Sequence, residues 1–216
     1  AMLPNLVQTL EGNPAFVHCG PFANIAHGNS SIIADELALS RSDYVVTEAG
    51  FGAEMGAEKA LHIKSLASGI SPSCIVLNVT VRSMKLHGGG VAGGGGSRPT
   101  KEEIETENVE AVRSGASSNL RRHIKNLAAT SIPVVVSINR FHTDTDAEIE
   151  AIRDEAAKAG AVDIVLFDGF SKGGSGAADL ADSVVSACES YDGAGSPFTP
   201  TVDPGMPSRE AILRIG

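Results

Sequence analysis

Residues 74–89 read CIVLNVTVRSMKLHGG, and their pattern decides the fold. Cys74–Val81 is apolar and rich in β-branched side chains, as a strand buried on both faces requires. Arg82, Lys85 and His87 follow at once, ahead of glycines 88–90. Polar groups placed directly after a buried strand mark layered α/β proteins, which meet ligands at the carboxyl ends of parallel strands.

Working outward, four more short runs have the same character: Ala15–His18, Tyr44–Thr47, Pro133–Ile138 and Val162–Phe167. Helical periodicity fills the intervals at 22–40, 53–67, 101–130, 145–158 and 176–190. The alternation predicts the α/β class, a mostly parallel sheet with right-handed crossovers and helices on both faces. Two segments break it. Gly88–Gly96 holds seven glycines in nine residues and has too much backbone entropy to lose for a regular element. Asp192–Pro207 is rich in Gly, Pro and Ser and reads as a linker or a wrapping arm. The expected division is therefore an α/β core at 1–191 and an arm at 192–216. The opening Ala1-Met2 and the helix that begins near Ser208 suggest a piece of a longer polypeptide.

Composition narrows the classes. The chain has 216 residues, is 42% hydrophobic and contains no Trp, so aliphatic side chains must fill its core. A net charge of −9 without a basic run argues against nucleic acid or an anionic membrane as partner. No apolar stretch reaches the roughly 18 residues of a membrane span. Cys19, Cys74 and Cys188 form no metal-ligand spacing and fit reduced residues of a cytoplasmic protein; no metal-ligand set is predicted.

Five constellations can carry chemistry. Cys19–Ser31, CGPFANIAHGNSS, runs from a strand into a helix, where exposed amides can hold an anion; Asn24 and His27 are its substrate-binding candidates. An ordinary glycine-containing turn fits as well, and His18 or His27 can equally be a packing residue. Thr47–Lys59, TEAGFGAEMGAEK, leaves a strand through Gly50 and Gly52, with Glu48 placed where nucleotidases keep a carboxylate for magnesium and the γ-phosphate. Thr47, Phe51 and Gly52 belong to the same turn, whereas Glu54 and Glu58 are expected to face solvent. Arg82, Lys85 and His87 can grip phosphate or carboxylate groups, unless they form only a solvated basic turn. Ile138–Glu148, INRFHTDTDAE, offers Asn139, Arg140, Thr143 and Asp144 for a purine base, although Thr143 or Asp144 can instead cap the next helix. Phe167–Gly176, FDGFSKGGSG, brings Lys172, Gly173 and Gly174 to the last strand end. No G-x-x-x-x-G-K-[ST] motif occurs anywhere in the chain.

Taken in order, these blocks resemble formate–tetrahydrofolate ligase along nearly the whole chain. The family's V-A-T-V-R-A-L-K-x-H-G-G motif has its counterpart in Leu77–Gly89, with Asn78, Ser83 and Met84 as departures. NLVQTLEGNPAFVHCGPFANIAHGNSSIIAD, DYVVTEAGFGAEMGAEK, IPVVVSINRFHTDTDAEI and SKGGSGAADLA match further blocks. Phe170 stands where the family tends to have Trp, and Gly90–Arg98 is more glycine-rich than usual.

The resemblance implies a three-layer architecture like that of P-loop nucleotidases. It implies that the complete enzyme makes formyl phosphate from formate and MgATP, with a monovalent cation as a further cofactor, and that tetrahydrofolate N10 then attacks it. The family's P-loop and an Arg-Glu pair precede the region matched here, and its C-terminal domain follows it. Self-association is implied for the full-length enzyme. Arg82, Lys85, His87 and Glu48 then become catalytic candidates. Thr47, Phe51, Gly52, Asn139, Arg140, Thr143, Asp144, Lys172, Gly173 and Gly174 become nucleotide or folate contacts. The chain alone is expected to be inactive. The rival reading is a non-catalytic binding or assembly module on the same fold; an unrelated nucleotidase would need a P-loop of its own.

Overall fold

A parallel three-stranded sheet forms around the stretch quoted first. The computed structural model describes residues 3–18, 28–89, 100–191, 193, 197–203 and 205–215. The chain divides into two compact units, 1–71 with 200–216, and 72–199. Residues 200–216 group with the amino-terminal unit.

In the second unit β3 (Ile75–Val79), β4 (Val134–Asn139) and β5 (Asp163–Phe167) lie in the order β3-β4-β5, all parallel. β4, VVVSIN, is central and its first five residues are buried. The α/β class predicted from the sequence is observed, with helices packed around the sheet. They are α3 (Val81–His87), α4 (Lys101–Glu105), α5 (Val109–Gly115), α6 (Arg121–Ala128), α7 (Asp146–Ala159), α8 (Gly169–Lys172) and α9 (Ala178–Ser190). The core is aliphatic, as the composition requires: Val81, Val112, Ile124, Val136, Ile138 and Ile152 have essentially no exposure.

Local chemistry sets the element ends. β3 stops at Val79, not Val81, because Thr80 turns into an N-cap: its side chain accepts from Ser83 N at 3.1 Å. Thr145 caps α7 in the same way, with Glu148 reaching back to Thr145 N at 3.2 Å. The predicted helix at 101–130 is interrupted between Glu105 and Val109 and then runs through a π-helical turn, Ala116–Leu120, into α6. α3 and α5 cross at glycines: a Cβ on Gly115 would lie 2.1 Å from the Met84 carbonyl oxygen, and one on Gly88 1.8 Å from that of Ala111.

The first unit departs from the expectation. Ala15–His18 is not a strand of the parallel sheet. Pro14–Val17 (β2) pairs antiparallel with Asn5–Gln8 (β1), which the sequence reading missed. The turn between them is closed by Thr9 N to Asn13 O at 2.8 Å and relies on Gly12 at φ 87°. Tyr44–Thr47 forms no assigned strand. Of the predicted helix 22–40, Ile32–Leu39 (α1) is observed; residues 22–27 lie outside the described residues. Helical turns fill 53–68, two of them π-helical and the last α2 (Leu66–Ser68), and Ser208–Ile215 forms α10.

Candidate functional site

The carboxyl ends of β3 and β4 lead into a polar cluster of the second unit. The Arg82 guanidinium, on the first turn of α3, lies 4.1 Å over the Phe141 ring. Its Nε is buried and has no hydrogen-bond partner among the described residues. Phe141 N donates to Asp144 Oδ2 at 2.8 Å, and Asp144 N donates back to Phe141 O at 3.0 Å. Asp144 is 7% exposed. Burial pushes its carboxyl above the ordinary range and Glu148 adds to this, against the Phe141 amide, Lys85 and Arg82.

Lys85 is buried and does not form a solvated basic turn. At 1% exposure its ammonium meets Glu148 Oε1 at 2.7 Å and donates to Ile104 O at 3.0 Å and Thr106 O at 2.9 Å. Glu148 also accepts from Asn108 N at 2.8 Å. Burial alone would raise the Glu148 carboxyl, but Lys85 and the two backbone amides hold it below its usual value. The pair ties α3 to the start of α5 and to the N-terminal turn of α7. His87 is exposed at the last residue of α3. The three basic residues therefore do not converge on one point: Arg82 faces Phe141, Lys85 is turned inward and His87 faces outward.

Asn139 ends β4 opposite Phe167, and Arg140 N donates to Phe167 O at 3.0 Å. Arg140 also approaches Asp146, Oδ1 at 3.6 Å. Neither Thr143 nor Asp144 caps α7; Thr145 does, and Asp144 closes the preceding turn instead. The T-x-x-E spacing of Thr145 and Glu148 is a capping-box signal that could have given this assignment. Past β5, Lys172 is exposed and pairs with Asp168 at 3.1 Å, and Gly173 has φ 60°. Hydrogen bonds from Ser171 and Lys172 hold the Asp168 carboxyl below its ordinary value. Gly174 lies in the next turn, and Phe170 projects almost fully into solvent.

In the first unit, Thr47 Oγ1 donates to Asn29 Oδ1 at 2.7 Å, and Lys64 Nζ donates to the same oxygen at 3.0 Å while pairing with Asp35 at 2.5 Å. Asn29, Asp35 and Lys64 are all buried. Lys64 and Asp35 were not legible as partners, since no spacing rule links a helix residue to one so distant. Glu48 is exposed beside this cluster, Phe51 is exposed, and Gly52 has φ 84°. Glu54 is exposed as expected, whereas Glu58 pairs with His62 at 2.8 Å. His18 Nδ1 lies 2.6 Å from Ser31 Oγ, the α1 cap, which also accepts from Ala34 N at 3.1 Å. Asn24 and His27 lie outside the described residues. Among the described residues no three His, Cys, Asp or Glu gather as metal ligands, and no helix is long and apolar enough to cross a membrane.

Polar turns after parallel strands, with helices packed around the sheet, define a layered α/β protein that presents its polar groups at strand ends. The family model described as formate--tetrahydrofolate ligase matches residues 1–216. The chain is 52% identical over 215 residues to the formate--tetrahydrofolate ligase of Granulibacter bethesdensis, covering 100% of this chain and 35% of that protein. It is 50% identical to those of Desulforamulus reducens, over 88% of this chain and 33% of the relative, and of a Ruegeria species, over 100% and 36%. The chain belongs to the formate–tetrahydrofolate ligase family, and it spans about a third of the length of the curated relatives it matches.

Proposed function

We propose that this chain is part of an ATP-dependent ligase that joins formate to tetrahydrofolate, giving 10-formyltetrahydrofolate through formyl phosphate. The family match along all 216 residues carries this reading. The chain supplies part of the substrate-binding surface and is inactive by itself, because it lacks the P-loop motif expected to cradle the transferring phosphoryl group. The complete enzyme works without a membrane or nucleic acid, in the cytoplasm, and self-associates.

In the first unit, Thr47 and Glu48 lie near the phosphates and magnesium, with Phe51 and Gly52 in the same turn; Asn24 and His27 approach substrate. Magnesium takes one or two carboxylates and fills its remaining positions with phosphate oxygens and water. The exposed Glu48 carboxylate, next in sequence to Thr47, suits that need. Bound there, the ion would neutralise phosphate charge. A monovalent cation completes the requirement, with no residue assigned to it.

In the second unit, Asn139, Arg140, Thr143 and Asp144 approach the adenine, and Lys172, Gly173 and Gly174 line the nucleotide or folate side. Arg82 and His87 face anionic substrate groups. The Arg82 guanidinium already rests over Phe141, so less side-chain entropy is lost when it meets an oxyanion. Lys85 acts as a positioning residue: its ammonium is used inside the fold, through Glu148, to fix the helix whose N-terminal turn follows Asp144.

The test is Arg82→Ala in the complete ligase polypeptide. We expect kcat/KM to fall about 100-fold or more, the scale of losing one charge-stabilising group at a reacting centre. Kinetics equal to wild type would remove Arg82 from the site.

A further inference from the structure

The first unit buries polar side chains more readily than apolar ones. Among its described residues Ala34 and Leu61 are the buried apolar side chains, against Asn29, Asp35, Lys64 and Ser65. Lys64, on the second π-helical turn (Ala60–Ser65), is 5% exposed. Its ammonium pairs with Asp35 of α1 and donates to Asn29 Oδ1 at 3.0 Å. Stability accounts poorly for such a pair, because apolar residues of similar volume in its place are often neutral or stabilising.

The shared acceptor is more informative. Asn29 Oδ1 also accepts from Ser30 N and lies 2.7 Å from Thr47 Oγ1. The Ser30 amide and the Lys64 ammonium can only donate, so the atom they share is the amide oxygen of Asn29 and not its nitrogen. Facing that acceptor, the Thr47 hydroxyl must be the donor, and its single proton is committed to Asn29. Thr47 is itself exposed, and its oxygen has only lone pairs left to offer a ligand. Lone pairs attract a cation and repel a phosphate oxygen. The backbone holds the same place: Gly50 N donates to Gly28 O at 2.7 Å, and Asn29 bridges Ala49. Without the ammonium, Ser30 N alone would fix the Asn29 oxygen. The amide could then turn its nitrogen to Thr47, whose oxygen would accept and whose proton would be released toward the ligand.

We propose that Lys64 is a positioning residue for the ligase reaction: through Asn29 it keeps the Thr47 hydroxyl proton turned inward, so that the Thr47 oxygen meets the metal ion of the magnesium–nucleotide and not its phosphates. Asp35 balances the buried charge that this requires. The inference rests on the proposed reading that the turn from Thr47 to Gly52 meets the nucleotide.

The test is calorimetric binding of ATP to the complete ligase polypeptide, without formate or tetrahydrofolate. Lys64→Met combined with Asp35→Asn removes the donor and its countercharge together and leaves no unpaired buried charge; thermal unfolding checks that the double variant is folded. Its affinity for ATP with magnesium should fall about 10–100-fold, the scale of losing a group that orients a metal ligand. ATP in excess EDTA should bind the double variant and the wild type alike. In a Thr47→Val background the same two changes should add less than about 2-fold, because the group they orient is gone. Thr47→Ser keeps the hydroxyl and should restore the dependence on Lys64. If the double variant does not fold, Asn29→Leu breaks the same relay with the ion pair intact and is read in the same way. Thr47→Val without effect on magnesium–ATP binding would overturn both the inference and the reading beneath it. If Thr47→Val weakens binding but the Lys64 and Asp35 changes do nothing, or cost the same factor in both backgrounds, the inference alone falls. An equal loss with ATP in EDTA would overturn it as well.

Discussion

Lys85→Met takes the ammonium away from a carboxylate with no exposure of its own. Glu148 keeps Asn108 N at 2.8 Å and Thr145 N at 3.2 Å but loses its countercharge, and the carbonyls of Ile104 and Thr106 lose their donor. Methionine nearly matches the lysine stem in shape, so the cost is electrostatic and not that of a cavity. Removing one partner of a buried ion pair costs about 3–5 kcal/mol. Urea unfolding followed by circular dichroism on the 216-residue chain measures this at pH 7. The pH dependence gives a second signature. In the wild type the Glu148 carboxyl sits below 4.5, so its contribution is present above that value and is lost as pH falls. In the variant, burial dominates and the carboxyl can take a proton, which relieves the unpaired charge. The gap between the two proteins should therefore narrow as pH falls toward 4. Adding Glu148→Gln should return at least about 1 kcal/mol, because the uncompensated charge is gone. A loss below about 1 kcal/mol at pH 7, or a gap that does not change with pH, would refute the ion-pair account.

Further outcomes follow from the packing and from a half-buried thiol. Gly115→Ala should gain about 1 kcal/mol from helix propensity, but its Cβ would sit 2.1 Å from the Met84 carbonyl oxygen, so a net loss of about 1–3 kcal/mol is expected in the same unfolding experiment. Burial and the neighbouring Cys188 push the Cys74 thiol up to about 11. Alkylation of Cys74 should therefore be slow at pH 8 and keep accelerating toward pH 11. A thiol raised from 9.0 contributes stability that is intact below pH 9 and is lost as pH rises through 11, so unfolding should become easier across that window.

The sheet of the second unit was legible because its strands and the residues that cover them lie in one stretch of chain. Val134–Ile138 announces a buried strand, and Val81, Val112, Ile124 and Ile152 are present to bury it. The same reasoning misplaced Ala15–His18, which pairs antiparallel with Asn5–Gln8, and Tyr44–Thr47, which forms no assigned strand. The pattern describes what a segment needs, while its pairing depends on what is beside it. At the candidate site, sequence put Asn139 at the end of a strand and Arg82 and Asp144 shortly after strands, where they are found. It did not put Lys85 in the interior, because its partner Glu148 comes from a helix far along the chain. Nor did it set Phe141 under Arg82, since such a contact has no periodicity to betray it.

The central proposal is that the ligase reaction belongs to a complete polypeptide as long as the curated relatives, of whose length this chain spans about a third. The direct measurement is formate- and ATP-dependent formation of 10-formyltetrahydrofolate, run in parallel with the complete polypeptide and with the 216-residue chain. The account predicts turnover by the complete polypeptide that requires all three substrates, and none by the chain alone. No product from the complete polypeptide, or comparable turnover by the isolated chain, would contradict it.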